Sequence, residues 1–376
     1  MTLTFFTNRL NHHQAPVSDE LYRLLGDNYH FVETERPLEV ASKGSTEDFS
    51  QRPYLIKAWE NEAARKKADE KALSSDVAVF GAASIDYEIM RIKNTDKLTF
   101  DLSERWFKRG ILNAFSPHFV KHFWYYHTLF HRKPVYKLCA SAFAARDEHC
   151  ILAFHKRCFK WGYFPNLSAF PITDTPFGAP IRVMWCARFL KLKHPELAIK
   201  LVSQLHRKGY SISLDMYGDG SELERSKEFV TRLGISEIVR FFGATPNEVV
   251  LDEMRKHDIF LFTSDRKEGW GVVANEAMAN GCVLIASDAI GSTPYLVKHR
   301  ETGIVFKSCS LRSLEREVQW LLDNPTAFKS IRKNGQAHII SYWNPAKAAE
   351  ALIRLSDELI DKMDHITIED GPCSKA

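Results

Sequence analysis

Residues 264–287 read SDRKEGWGVVANEAMANGCVLIAS, and this stretch decides the fold. The apolar run 259–263 before it has the length of a buried strand, apolar residues recur at helical spacing over 273–280, and 283–286 is a second short apolar run. Strand, helix and strand in that order form a βαβ unit, whose two strands lie parallel in one sheet. Between the first strand and the helix, Gly269 and Gly271 flank Trp270. Glycines in a strand-to-helix turn let backbone N–H groups approach an anion, and the helix beyond adds the positive end of its dipole. Two carboxylates bracket the turn, Glu268 and Glu276, with seven residues between them. A carboxylate only accepts hydrogen bonds, so this pair, at the carboxyl edge of a parallel sheet, suits the hydroxyls of a sugar and a ribose.

The same alternation runs outward from this unit. Segments 181–186, 211–217 and 238–242 read as strands and 194–208, 221–233 and 247–256 as helices, with a further helix over 311–323. The first 165 residues alternate less regularly. Strands are expected there over 2–7, 29–34, 77–80, 98–102 and 135–141, and helices over 18–25 with Ser18 as cap, over 50–72 and over 144–150. A Pro- and Thr-rich stretch, PNLSAFPITDTPFGAP at 165–180, separates the two halves. A late helix over 345–363 begins at a proline, and the polar tail beyond His365 is expected to fray. The fold class that follows is α/β with two doubly wound domains, residues 1–170 and 181–344, and a C-terminal helix and tail over 345–376.

At 376 residues the chain is long enough for two cores, and 45% hydrophobic with 26% charged residues excludes a disordered chain. The net charge of +4 is unevenly spread: residues 91–137 hold ten Lys/Arg against three Asp/Glu, so the rest of the chain is net acidic. Eleven aromatics share that window. A local basic, aromatic stretch points to a local anionic partner and away from wholesale nucleic-acid binding. The seven cysteines form no C-x-x-C pair and no spacing matched to a histidine pair, which leads us to expect reduced thiols in a cytosolic protein, with no structural zinc. No signal-peptide pattern opens the sequence and no run of 18 apolar residues occurs, so any contact with a membrane is expected from its surface.

The string around Glu268 and Glu276 closely resembles the E-x7-E signature of the family 4 retaining glycosyltransferases. The resemblance extends over about residues 181–343, through ARFLKLKHPELAIKL (187–201), MYGDGSELERSKEF (216–229), VRFFGAT (239–245) and DIFLFTS (258–264). In the first half it is one of general layout, although NHHQAP (11–16) and KWGYFP (160–165) are similar to elements of bacterial glycosyltransferases of surface-polysaccharide clusters. The resemblance implies the GT-B fold, two facing Rossmann-like domains with an interdomain cleft, the last helix crossing back to the first domain. It also implies a metal-independent, cofactor-free transfer of sugar from a nucleotide-diphosphate donor, a UDP-sugar, to a saccharide or lipid-linked saccharide.

Carried over by motif, Arg188 and Lys193 correspond to the family's basic pair on the donor diphosphate, with Lys191 as an adjacent candidate. A leaving diphosphate gains negative charge as the glycosidic bond breaks, and fixed cations offset it. Glu268 would hold hydroxyls of the donor sugar and Glu276 those of the ribose, while Gly269, Trp270 and Gly271 present backbone amides. Gly218, Asp219 and Gly220 would form a turn beside the nucleotide, and Phe242 and Gly243 the loop that receives the base. No protein nucleophile is implied; the donor phosphate itself helps to remove the acceptor proton. Glu268 and His13, the latter following the first strand with Asn11, His12 and Gln14, are the residues expected nearest the reaction. Glu104, Arg105 and Asp147 are acceptor-side candidates, with Lys108 and Arg109 beside them.

Two questions stay open at this level. In the basic window, Trp106, Phe107, Trp124, Tyr125 and Tyr126 either meet an anionic membrane or acceptor, or they are core beneath a solvated face of cations. The chain is either an enzyme at the inner face of the cytoplasmic membrane or a non-catalytic sugar-nucleotide-binding or scaffolding subunit. A GT-B-fold epimerase is disfavoured by the E-x7-E string.

Overall fold

The computed structural model describes residues 1–36, 48–108, 110–168, 170–172, 180–363 and 365–376; Arg109 and residues 169 and 173–179 of the Pro- and Thr-rich stretch lie outside the described residues. The chain forms two compact units, one of Met1–Asn166 with Asn344–Ala376 and one of Leu167–Trp343.

The first unit runs β1 (Leu3–Thr7), α1 (Ala15–Leu25), β2 (Tyr29–Glu33), β3 (Leu55–Lys57), α2 (Glu62–Ser74), β4 (Val77–Phe80), α3 (Ile85–Asn94), β5 (Leu98–Ser103), α4 (Pro117–Thr128), β6 (Val135–Cys139), α5 (Ala144–His149) and β7 (Cys158–Lys160). Its seven strands are parallel in the order β3-β2-β1-β4-β5-β6-β7. Such a sheet is covered on both faces, which is why β4 is apolar at every position and both β1 and β4 are buried throughout.

The second unit continues β8 (Ile181–Cys186), α6 (Pro195–Arg207), β9 (Ile212–Tyr217), α7 (Leu223–Leu233), β10 (Val239–Gly243), α8 (Asn247–Met254), β11 (Ile259–Phe262), α9 (Val273–Ala279), β12 (Val283–Ser287), α10 (Thr293–Leu296), β13 (Ile304–Phe306), α11 (Leu311–Asp323) and α12 (Pro325–Tyr342). Its six parallel strands are ordered β10-β9-β8-β11-β12-β13. Its core packs the apolar stripe of α6, including Ala198, Leu201, Val202 and Leu205, against Val183, Leu214, Ile259 and Ile285 of the sheet. Strand order reverses at β8 and β11, and at such a switch point the loops diverge and leave a crevice.

Several expectations need correction. The helix expected over 50–72 is a strand and a shorter helix: Tyr54, Ile56 and Ala58 alternate inward and β3 pairs with β2. Helix α2 starts only after Asn61, whose side chain accepts the Ala64 N–H at 2.9 Å. Ser18 is no cap, because α1 begins at Ala15; its buried hydroxyl accepts from the Tyr29 hydroxyl at 2.9 Å. The last helix, α13 (Pro345–Ile360), packs on α1 within the first unit. The tail beyond it does not fray. Cys373 N–H donates to the Lys160 carbonyl and Lys160 N–H to the Ser374 carbonyl, both at 2.7 Å, and Ala376 N–H donates to Cys158 at 3.1 Å. Strand β7 is a sheet edge with unpaired backbone groups, and the tail satisfies them.

The cations of the 91–137 window are only partly a solvated face. Arg91 is fully buried and its guanidinium donates to the carbonyls of Ala72, Ser75, Asp76 and Leu98 and to the Thr99 hydroxyl. Lys137, also fully buried, lies between Asp101 at 2.9 Å and Glu148 at 3.0 Å. Of the aromatics, Tyr126 is core whereas Phe115 and Trp124 are exposed.

Candidate functional site

In the second unit the candidate residues collect where the strands of the sheet end. Arg188 and Lys193 follow β8, Gly218 and Asp219 follow β9, Phe242 and Gly243 end β10, and Glu268 follows β11. The loops after β8 and β11 are joined by hydrogen bonds that no local pattern announces. Thr263 Oγ1 donates to the Lys193 carbonyl at 2.6 Å and accepts from the indole of Trp185 at 3.0 Å, and Asp265 N–H donates to the Leu192 carbonyl at 2.8 Å. Between these loops Lys193 Nζ forms an ion pair with Glu268, each side chain 13% exposed. His194 adds to the joint, its Nδ1 2.8 Å from Glu196 and its Nε2 3.5 Å from Asp265. The hydrogen bond to Glu196 raises the imidazole's pKa, and the carboxylate of Asp265 adds to the effect. Arg188 is exposed and has no ion-pair partner among the described residues.

Glu276 sits in the first turn of α9, half-buried, with Asn247 Nδ2 donating to its Oε1 at 3.3 Å. Burial pushes its carboxyl above the usual carboxylate range, and the Asn247 amide offsets part of that. Cys186, at the end of β8, lies within reach of the same charges: burial pushes its thiol up to about 12, with the Glu276 carboxylate raising it further and Lys193 opposing.

Two glycine turns shape this edge. Gly218 has φ +122°, and a Cβ there would lie 2.0 Å from the Ala187 carbonyl oxygen. Its N–H donates to the Gly243 carbonyl at 2.7 Å, so the turns after β9 and β10 are tied together. Asp219 closes its own turn, Oδ1 accepting the Gly220 N–H at 2.7 Å. Gly271 has φ +77°, and a Cβ there would lie 2.2 Å from the Phe262 ring. Trp270 is core, with its indole N–H donating to buried Asn275 at 3.0 Å and its carbonyl accepting from Ser292 at 2.6 Å. Asn275 therefore has a structural task that its place beside Glu276 did not reveal. Phe242 is 45% exposed and stacks parallel on Tyr217 with ring centres 4.5 Å apart, leaving an aromatic face open.

The first unit has its own cavity, of about 620 Å³, at the carboxyl ends of its strands. His13 and Gln14 after β1, Glu104 and Arg105 after β5, and Trp161 and Tyr163 after β7 all line it, so the NHHQAP and KWGYFP segments meet there. The His13 and Tyr163 rings lie 5.7 Å apart. Burial, with His12 adjoining, brings the His13 pKa down to about 4, and its enclosed Nδ1 has no hydrogen-bond partner among the described residues. Tyr163 donates its hydroxyl to Glu104 at 3.1 Å, and Glu104 also pairs with Lys108. Asp147, expected as an acceptor contact, does not line the cavity. It is buried behind it, accepting the Phe107 N–H at 2.9 Å and pairing with Arg105 at 3.3 Å, and so it positions Arg105.

Beneath the cavity wall lies a buried charge cluster that sequence reading missed. Glu148 accepts from the Trp106 indole at 2.8 Å, pairs with Lys137, and lies 3.2 Å from His122. Burial opposes the Glu148 charge, but Lys137 and His122 overcome it and hold the carboxyl down at about 2. Glu88 is buried beside them with its carboxyl pushed well up, first by burial and then by Asp101. These partners come from α3, α4, α5, β5 and β6, separated in sequence, so no local spacing signals them.

Comparison with known proteins bears on this geometry. Residues 176–338 match the family model "Glycosyl transferases group 1". A D-inositol 3-phosphate glycosyltransferase of Streptomyces bingchenggensis (strain BCW-1) is 28% identical over 178 residues, 45% of this chain and 39% of that protein. The corresponding protein of Corynebacterium kroppenstedtii is 27% identical over 199 residues, 50% of this chain and 44% of that one. The match thus spans about two fifths of the length of these curated relatives. Among solved structures, the lipopolysaccharide outer core galactosyltransferase WaaB superposes with a TM-score of 0.72 at 14% identity, over 96% of this chain and 99% of that one. Anabaena Alr3699/HepE, solved with UDP and glucose, gives 0.65 at 13% identity over 96% and 100%. The solved structures show that the chain has the two-domain α/β fold of the GT-B glycosyltransferases.

Proposed function

We propose that this protein is a retaining, metal-independent glycosyltransferase that moves a sugar from a nucleotide-diphosphate donor, a UDP-sugar, to a saccharide or lipid-linked saccharide in cell-surface polysaccharide or lipopolysaccharide assembly. The observation that carries this reading is the Lys193–Glu268 pair at the switch point between β8 and β11, with half-buried Glu276 in the adjoining helix turn. Lys193 and exposed Arg188 supply fixed positive charge for a leaving diphosphate, and no metal is needed for that task. Glu268 accepts from hydroxyls of the donor sugar and is itself oriented by Lys193. Glu276 accepts from the ribose, and the exposed Phe242 face receives the base.

In the reaction the acceptor hydroxyl oxygen bonds to the anomeric carbon on the face from which the leaving group departs. The bond from that carbon to the phosphate oxygen breaks, the nucleoside diphosphate leaves with the electron pair, and the acceptor proton passes to a phosphate oxygen. His13, neutral and desolvated in the first unit, contacts a sugar hydroxyl through a hydrogen bond. Work at the inner face of the cytoplasmic membrane fits the exposed Leu112, Phe115, Val120, Phe123 and Trp124, with Lys121 among them. Among the described residues no helix is long and apolar enough to cross a membrane.

A donor screen that follows nucleotide release, with NMR of the product anomer, tests the reading. Release from a UDP-sugar with retention is expected, and Lys193→Ala should lower kcat by on the order of a hundredfold, the usual scale for one electrostatic group at a reacting centre. An inverted product would end the retaining assignment. Nucleotide binding without release across a broad acceptor panel would favour a non-catalytic binding subunit instead.

A further inference from the structure

The charges around the cavity of the first unit bear on what can enter it. Among the described residues, each Arg or Lys lining it is held by a carboxylate of the protein: Arg105 by Asp147 at 3.3 Å, and Lys108 by Glu104. Glu104 is fixed a second time by the Tyr163 hydroxyl at 3.1 Å. Asp147 is held by the Phe107 N–H at 2.9 Å, so neither carboxylate is placed to swing away. His13 is neutral, and its enclosed Nδ1 lacks a hydrogen-bond partner among the described residues. Gln14, Ser103 and Ser116 add uncharged polar groups to the wall, and the exposed His118 lies on it. Trp161 and Tyr163 add aromatic surface.

An anion entering this cavity would meet cations whose charge Glu104 and Asp147 already offset, and it would lie beside those carboxylates. Like charges in a partly desolvated site repel strongly. A hydroxyl meets no such opposition. It can donate to Glu104 or to His13 Nδ1 and accept from the remaining N–H donors of Lys108, while ring C–H faces lie on the aromatic wall. Matching a polar group that otherwise stays unpaired is what makes such a site selective.

We infer that the cavity of the first unit takes an uncharged saccharide as acceptor and discriminates against phosphorylated and uronic sugars. The inference rests on the reading of this protein as a glycosyltransferase whose acceptor lies in that unit. The test is saturation-transfer NMR and calorimetry on the full-length protein with matched pairs: glucose with glucose 6-phosphate and with glucuronic acid, galactose with galactose 6-phosphate, and N-acetylglucosamine with its 6-phosphate. At least one neutral sugar is expected to bind, with its charged counterpart weaker by about tenfold or more. Glu104→Gln releases Lys108, so the charged counterpart should gain about tenfold over its affinity for the unaltered protein. His13→Ala should weaken the neutral sugar about fivefold or more, the loss of one hydrogen bond. Equal or tighter binding of the charged member in the unaltered protein overturns the inference, as does failure of every neutral sugar to bind. UDP titrated into the same samples separates the two readings. Neutral-sugar binding without UDP binding removes glycosyl transfer and leaves the cavity's selectivity standing. Turnover onto a phosphorylated acceptor in preference to its neutral partner does the opposite.

Discussion

Replacing Glu276 with Gln should move stability and ligand affinity in opposite directions. Its carboxyl is half-buried, accepts one protein hydrogen bond, from Asn247 at 3.3 Å, and is pushed above the usual carboxylate range chiefly by burial. The unfolded carboxyl titrates near its reference value of about 4.3. Between that pH and the higher folded pKa, the folded state binds more protons than the unfolded state, so stability falls as pH rises and stays lost at neutral pH. Glu276→Gln removes this loss, so the second unit should be more stable than the unaltered protein at pH 8 and nearly unchanged at pH 4. Against this, a carboxylate accepting from ribose hydroxyls makes hydrogen bonds of roughly 1.5–3 kcal/mol each. Gln keeps one acceptor, so the loss of one such bond should weaken UDP roughly 10- to 150-fold. Calorimetry with UDP reads the affinity. Hydrogen exchange at the amides of α9 reads the local stability without assuming that two units unfold together. Unchanged UDP affinity in a folded variant would refute the ribose role, and lower protection at pH 8 would refute the burial argument.

Gly218→Ala places a methyl group 2.0 Å from the Ala187 carbonyl oxygen at a φ of +122°. Backbone strain alone costs about 1–3 kcal/mol, and relief of the clash moves the turns after β8 and β9, so calorimetry should show UDP binding weakened by about tenfold or more in a protein that still folds. Lys137→Met leaves Asp101 and Glu148 buried without their cation and should lower the stability of the first unit by about 3–5 kcal/mol. Hydrogen exchange in β5 and β6 measures this, and adding Glu148→Gln should recover part of it. Because the folded Glu148 pKa is depressed to about 2, its stabilising contribution in the unaltered protein is present above the unfolded carboxylate value and is lost as pH falls through the folded one. An acid titration of the same amides should show the loss below about pH 4, and no such loss in Glu148→Gln.

What the sequence displayed well was local. The E-x7-E spacing, the glycines between a strand and a helix, and the basic pair after β8 are short-range patterns, and the second unit's elements from β8 to β12 lie within a few residues of their expected places. The first unit was harder to read because its signals conflict. Charges over 61–74 have helical composition and masked the three-residue strand Leu55–Lys57 just before them. The basic window looked like a surface for an anion because two of its carboxylate partners, Asp147 and Glu148, lie outside it in the sequence, and because spacing alone does not show that Lys137 pairs with Asp101 or Lys108 with Glu104. Trp270 was read for its backbone amide alone; the neighbours that make its side chain core, Tyr295 and Trp343, are 25 and 73 residues away in the chain.

By itself the sequence determined the periodicity of two doubly wound halves and the residue types at the carboxyl edge of the second sheet, since backbone dihedral preferences and apolar spacing act within a few residues. Only the tertiary structure decided which of those groups are available. It paired Lys193 with Glu268 and gathered His13, Glu104 and Tyr163 around one cavity. It also buried Arg91 and Lys137 and laid the tail on the edge of β7. Burial and charge pairing are properties of groups brought together across the whole chain, and a buried charge or an open sheet edge is tolerated only when a distant partner satisfies it.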